Sequence, residues 1–272
     1  MVDATIGHGG HSLRFGRMLG PDGVIVGFDV DETCIRRARS NLSKLGCKVI
    51  LINANFSRIC EQLNLHGIEE VDFILADLGV CSSQLADLQM GLSFQVDMPL
   101  DMRFDKRLKR TAADIVNELD EKSLADLIYR YGEDRGSRRI ARFIVRERQK
   151  RPITTTARLA GIVTRALAKG TARARLHPAT RTFQALRIAV NHELDNLAAM
   201  LESAPALVRN RGRVAVISYH SLEDRLVKNN FRENQKTGAY QVLTKKPITA
   251  SRQEVRLNRR ARSAKLRIAE KI

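Results

Sequence analysis

Asp3-Ala4-Thr5-Ile6-Gly7-His8-Gly9-Gly10-His11-Ser12 reads as the end of a buried strand running into a glycine-rich turn, with a helix opening at Ser12. Such a turn lets backbone N–H groups approach a ligand that a Cβ would hold off. The three glycines alone are a weak signal, because glycine turns between strand and helix are common. A purely structural turn is the competing reading, and the spacing is not the GxGxxG of dinucleotide enzymes.

Outward from this stretch, three more apolar runs follow at 24–29, 49–52 and 71–77, separated by helical stretches such as 32–45. Runs of this kind alternating with helices predict an α/β fold, a mostly parallel sheet with helices on both faces. Ligands in such sheets sit at the carboxyl ends of the strands. After about Asp105 the texture changes. Residues 111–167 carry four helical patterns with no strand between them, which predicts an inserted helical domain over 106–187. A single long amphipathic helix over 178–202 would return the chain to the sheet. Strands are expected at 213–218 and 264–269, so that 1–105 and 188–272 form the first domain.

Charge divides along the same line. The net charge of +17 is made of −5 over residues 1–105, +13 over 106–187 and +9 over 188–272. Excess positive charge confined to part of a chain points to a polyanionic partner met by that part, against a merely solvated surface. The four cysteines, Cys34, Cys47, Cys60 and Cys81, have no zinc-type spacing, and no apolar run approaches a membrane span. The expectation is a cytosolic, reduced protein with no metal and no membrane partner.

Chemistry-bearing residues fall at the strand ends. Asp29 closes the second run about 20 residues after the turn, where a carboxylate would take ribose hydroxyls; a helix N-cap is its alternative role. Phe56 follows the third run and could stack on an adenine or pack into the core. Asp77 ends the fourth run, over the centre of the sheet, where it could hold an ammonium group. This order favours S-adenosylmethionine over NAD.

The chain closely resembles the bacterial 16S rRNA cytosine-N4 methyltransferases, the MraW or RsmH type. The resemblance rests on Gly7-His8-Gly9-Gly10-His11-Ser12, Asp77-Leu78-Gly79-Val80, Pro99-Leu100-Asp101-Met102-Arg103-Phe104-Asp105, Tyr131-Gly132-Glu133-Asp134-Arg135, His177-Pro178-Ala179-Thr180-Arg181-Thr182-Phe183 and Ile217-Ser218-Tyr219-His220-Ser221. It implies a class I methyltransferase sheet, Rossmann-like, with a helical substrate domain inserted. It also implies S-adenosyl-L-methionine contacts at Gly9, Gly10, His11, Asp29, Phe56, Asp77 and Gln84. The implied substrate is a cytidine in the decoding region of small-subunit rRNA, met within a partly assembled subunit, with homodimerisation left open. Cys81, Met98 and Arg259 stand where the family usually has Ser, Gly and Pro. The family's usual leader, with its His-x-Pro-Val segment, does not precede Asp3, so the first strand is expected to be incompletely braced.

Position in the chain nominates Asp101, His220 and Ser82 for roles at the substrate. Asp101 could accept a hydrogen bond from the base amine or pair with Arg103; His220 could face the base or stabilise its loop. Arg135, Arg138, Arg139, Arg142, Arg146 and Arg148 are expected to neutralise RNA phosphates without reading sequence. With 5% aromatics and no Trp, a stacking platform for single strands is not expected. A non-catalytic RNA-binding or ribosome-assembly protein that retains the sheet is the alternative function.

Overall fold

In a computed structural model, which describes residues 1–81, 83–84, 87–168 and 177–272, the four apolar runs form neighbouring parallel strands. They are β1 (Val2–Asp3), β2 (Val24–Phe28), β3 (Lys48–Ile52) and β4 (Val71–Asp77), followed by β5 (Val208–Ser218), β6 (Tyr240–Val242), β7 (Ile248–Thr249) and β8 (Lys265–Lys271). The helices up to the return are α1 (Gly10–Gly16), α2 (Glu32–Leu42), α3 (Ile59–Leu65), α4 (Ala112–Glu118), α5 (Glu121–Gly132), α6 (Ser137–Lys150) and α7 (Thr156–Leu167). Then come α8 (Thr180–Asn191), α9 (Glu193–Leu207), α10 (Ser221–Lys236) and α11 (Arg252–Leu257).

The sheet runs β3-β2-β1-β4-β5-β8-β6, with β7 paired to β8. β1 to β5 are parallel, and β8 lies antiparallel to both β5 and β6. This is the class I methyltransferase arrangement, a doubly wound sheet with one reversed strand near its edge. β1 is only two residues long, yet it is paired on both sides: Val2 faces Val26 on β2 and Ile74 on β4. Its backbone continues the ladder, with Ala4 N donating to Leu75 O at 2.7 Å and Ile6 N to Phe28 O at 2.8 Å. Strands buried on both faces need apolar residues at successive positions, which is why Val, Ile and Phe run together here. Phe28, Ile59, Leu63, Ile74, Met200, Val214 and Phe231 pack into one core around the sheet.

The chain divides into two units, Met1–Gly79 with Leu194–Ile272, and Val80–Glu193. The helical unit therefore begins at residue 80 and not at 106. The reason is packing: Leu100 and Met102 are buried in the helical core with Ile115, Ile128, Ile140 and Leu159, and Leu92 and Phe94 pack against it. Short polar side chains start these helices, as Thr111, Asp120 and Thr155 accept from backbone N–H groups in the first turns of α4, α5 and α7.

Two expectations are corrected. The helix expected over 178–202 is broken at His192, which adopts φ 52°, into α8 and α9. The preceding Asn191 has its amide committed to a distant loop, donating to Met102 O at 2.7 Å and accepting from Phe104 N at 2.8 Å. Between the strands expected at 213–218 and 264–269, where no element was expected, the chain forms α10, β6, β7 and α11. The apolar positions of α10 are sparse, with Val227 and Phe231 the buried ones, so the period was hard to read.

Candidate functional site

The glycine turn is built from two directions. Gly9 caps α1 with φ 82°, a left-handed conformation that costs an L side chain about 1–2 kcal/mol. A Cβ there would also sit 3.1 Å from Leu42 Cγ. Gly10 differs: a Cβ at that position meets nothing within 4 Å, so the start of α1 borders open space. The helix thus opens at Gly10, two residues earlier than its sequence suggests.

Asp29, just past β2, clamps this turn. Its Oδ2 accepts from Gly7 N at 3.0 Å and its Oδ1 from Asp31 N at 2.9 Å. The helix N-cap is Asp31, which accepts from Thr33 N at 2.8 Å, so capping is not the role of Asp29. Asn53, past β3, donates to the carbonyls of Asp29 and Val30, both at 3.0 Å. Phe56 opens a short 3-10 turn capped by Asn55 and packs half-buried against the sheet core. Each strand end is therefore tied to its neighbour by a side chain.

Asp77 is the centre of this network. Its backbone N donates to Thr5 Oγ1 at 2.7 Å. Its carboxylate meets His11 Nε2 at 3.3 Å through Oδ2 and accepts from the Tyr219 hydroxyl at 2.9 Å through Oδ1. The hydrogen bond to Asp77 raises the His11 pKa, against the effect of partial burial. Burial, reinforced by Asp77, pushes the Tyr219 phenol upward, which keeps it protonated and donating. Below the turn, Asp3 is buried and accepts from Ser12 Oγ at 2.7 Å; burial raises its pKa. The sequence reading gave Thr5 and Tyr219 no role. Tyr219 directly follows a strand end, which was the available signal.

His220 follows Tyr219 and caps α10, with its Nδ1 accepting from Glu223 N at 3.4 Å. Glu223 Oε2 accepts in turn from Tyr219 N at 2.8 Å and His220 N at 3.2 Å. His220 Nε2 lies 3.2 Å from Glu223 Oε1, but at an angle that makes no hydrogen bond, and it is buried. The loop-stabilising role is therefore filled by Nδ1, while Nε2 retains an unused hydrogen-bonding position.

Gln84, Asp101 and the nominated arginines lie in the helical unit. Gln84 is buried, and its Oε1 accepts from Cys81 N at 3.0 Å. Asp101 is gripped by Arg103, through Nε at 2.7 Å and a terminal nitrogen at 3.0 Å, and by Lys106 at 3.1 Å. Burial opposes ionisation there, but these donors prevail and hold its pKa below the ordinary carboxylate value. Ser82 lies outside the described residues. Of the six arginines, Arg135, Arg138, Arg139, Arg142 and Arg146 are exposed, whereas Arg148 is half-buried and donates to Val116 O at 2.8 Å. Arg148 stitches α6 to α4 and is not an open phosphate ligand. Arg142 also approaches Glu121 at 3.7 Å.

Relatives carry the same chemistry in their names. Over 277 residues the chain is 51% identical to the ribosomal RNA small subunit methyltransferase H of Acidobacterium capsulatum, covering 99% of this chain and 91% of that protein. The protein of the same name from Koribacter versatilis is 45% identical over 98% of this chain and 86% of its own length. That from Clostridioides difficile is 41% identical over 100% of this chain and 92% of its own. The family model described as the MraW methylase family matches residues 1–272. With the strand-end network at Gly9, Asp29 and Asp77 in place, the chain belongs to the MraW methylase family.

Proposed function

We propose that the protein transfers a methyl group from S-adenosylmethionine to N4 of a cytidine in the decoding region of small-subunit rRNA. The observation that carries the reading is Asp77, held at the end of β4 between His11 and Tyr219 beside the glycine turn. The names of the relatives support small-subunit rRNA as the substrate class. The net charge of +13 over residues 106–187 and the exposed arginines of α6 support an RNA partner.

The residues present fit the cofactor. Gly10 borders open space, and the Asp29 carboxylate stands just past β2 beside the glycine turn, where a carboxylate takes ribose hydroxyls. Phe56 has a half-exposed ring for the adenine, and Asp77 a fixed negative charge for the ammonium group. Gln84 is assigned to the same site by its place in the family motif. The bound cofactor supplies a methyl group made electrophilic by the positive sulfur.

A cytosine amine is a poor nucleophile, because its lone pair is delocalised into the ring. The protein must therefore orient N4 toward the methyl group and accept hydrogen bonds from N4–H as the lone pair localises. With Nδ1 accepting from Glu223 N, the neutral His220 imidazole carries its proton on Nε2, a buried donor without a hydrogen bond that can orient the base through the ring's own acceptors. Asp101 is a weaker candidate than its position in the sequence suggested, because Arg103 and Lys106 already occupy its carboxylate.

Mass spectrometry of rRNA from cells with and without the gene tests the proposal. N4-methylcytidine should be present only with the gene; the same level in both would overturn it. Calorimetry with S-adenosylmethionine tests the alternative, since a chain that binds no cofactor would be a non-catalytic RNA-binding protein.

A further inference from the structure

A second charged feature of the sheet unit lies away from the strand-end network. A cavity of about 200 Å³ opens between α10, the end of β6 and β8. Lys228 and Arg232, one turn apart on α10, line it together with Lys245 after β6 and Arg267 on β8. Phe231 and Val242 form its apolar floor, and among the described residues no carboxylate lines it.

Arg267 is the informative residue. Its side chain is 7% exposed, and among the described residues it hydrogen-bonds through Nε alone, to Asp224 Oδ1 at 2.6 Å. The other oxygen of Asp224 is taken by Lys265 at 3.3 Å. Among the described residues, the two terminal nitrogens of Arg267 donate to no acceptor, although the side chain lines the cavity. A guanidinium has five N–H donors in a planar fork, and four of them are left here on a nearly buried group. Lys228, Arg232 and Lys245 likewise have no hydrogen bond or ion pair among the described residues. Asp224 balances Arg267 alone, so the charges of Lys228, Arg232 and Lys245 gathered around a concave surface are unfavourable, and an anion with several acceptor oxygens removes that cost.

We propose that this cavity binds a phosphate group of the RNA backbone, as an anchor separate from the arginines of α6. The inference rests on the reading of the protein as an rRNA methyltransferase. Its size supports a phosphodiester over a free nucleotide or cofactor, since pockets for whole small molecules run from about 300 to 1,000 Å³. Its position also suits a polymer. At about 1.5 Å of rise per residue, Lys228 and Arg232 lie roughly 10 and 16 Å along α10 from its start beside His220. That span is about three to five nucleotides of stacked strand at ~3.4 Å each. The guanidinium fork of Arg267 supplies paired donors to the phosphate oxygens, and the lysines supply charge.

The test uses the full chain with Lys228→Gln and Lys245→Gln combined, two side chains that no internal bond requires. Binding of a small-subunit rRNA fragment is titrated across salt concentrations. The combined variant should bind more weakly, with the slope of log K against log salt reduced by about one. Its binding of S-adenosylmethionine should be unchanged. RNA affinity and slope equal to those of the parent would overturn the proposal. Thermal shift with inorganic phosphate separates the sources: stabilisation lost in the variant while RNA binding stays intact would assign the cavity to a small phosphate ligand and also overturn it. RNA binding is read without turnover, so absence of N4-methylcytidine in the cell would count against the methylation reading and leave this measurement standing.

Discussion

The hydroxyl of Tyr219 donates to Oδ1 of Asp77 at 2.9 Å, joining the ends of two neighbouring parallel strands across 142 residues of sequence. β4 and β5 are held in register below this point, with Asp77 opposite Ile217. The ring of Tyr219 also lies against Gly79, where a Cβ would come within 3.3 Å of ring carbon Cδ2. The phenol thus orients the carboxylate proposed to meet the cofactor, without itself needing to touch it.

Tyr219→Phe keeps the ring and removes the donor. A hydrogen bond to a charged group contributes about 1.5–3 kcal/mol when well shielded. Asp77 is partly exposed, so the loss of stability should be near ~1 kcal/mol, measured by urea unfolding. Cofactor affinity by calorimetry should fall by up to about tenfold, equivalent to ~1.4 kcal/mol. Unchanged affinity would deny Asp77 its proposed role.

The two adjacent glycines should separate stability from binding. Gly9→Ala forces a side chain into a left-handed conformation beside Leu42 and should destabilise the fold by about 1–2 kcal/mol. Gly10→Ala sits in open space at a helix start and should leave unfolding nearly unchanged. If the cofactor lies against this turn, Gly10→Ala still weakens its binding. Normal binding with Ala at position 10 would place the ligand elsewhere.

The ion pair of His11 with Asp77 predicts a pH dependence. Its hydrogen bond to Asp77 raises the His11 pKa above the ordinary 6.5. The stabilisation is complete below that ordinary value and is lost as pH rises through the raised folded-state pKa. The imidazole is half-exposed, so the effect should be only a few tenths of a kcal/mol. His11→Gln should flatten the stability profile over this range; an unchanged profile would remove the pair from the account.

Asp101→Asn distinguishes two roles for one carboxylate. As the partner of Arg103 and Lys106, its loss should destabilise the protein by about 1–3 kcal/mol, less than a fully buried pair. Stability kept while turnover collapses, with cofactor affinity intact, would instead restore a direct part in the reaction.

The arginines of α6 should divide into two groups. Arg138→Gln with Arg139→Gln should flatten the salt dependence of RNA binding by about one to two units, with little change in stability. Arg148→Ala should do the reverse. It removes the donor to Val116 O and should cost roughly 1 kcal/mol or more in unfolding.

Much of this architecture is local and therefore legible. Apolar runs at 24–29, 49–52 and 71–77 predict strands because a doubly covered sheet demands continuous burial. The glycine turn, Asp29 and Asp77 fall at strand ends, where the topology places ligands. The basic excess after residue 105 needs only counting. Sequence alone also carried the family, since its motifs extend along nearly the whole chain.

Other features depend on which side chains meet after folding. Tyr219 acquires its role only because β5 pairs with β4 in one register. Arg148 and Arg138 look alike in the chain, yet one faces a carbonyl on α4 and the other faces solvent. Residues 80–105 resemble a loop of the first domain until Leu100 and Met102 are seen in the helical core. The glycine turn at the start of the chain shows both limits together. Its glycines announce a place where backbone must come close to something, because only a missing Cβ permits that conformation. That Gly9 serves the fold and Gly10 faces open space was decided by Leu42, brought to one and not the other by the packing of α2 against the sheet.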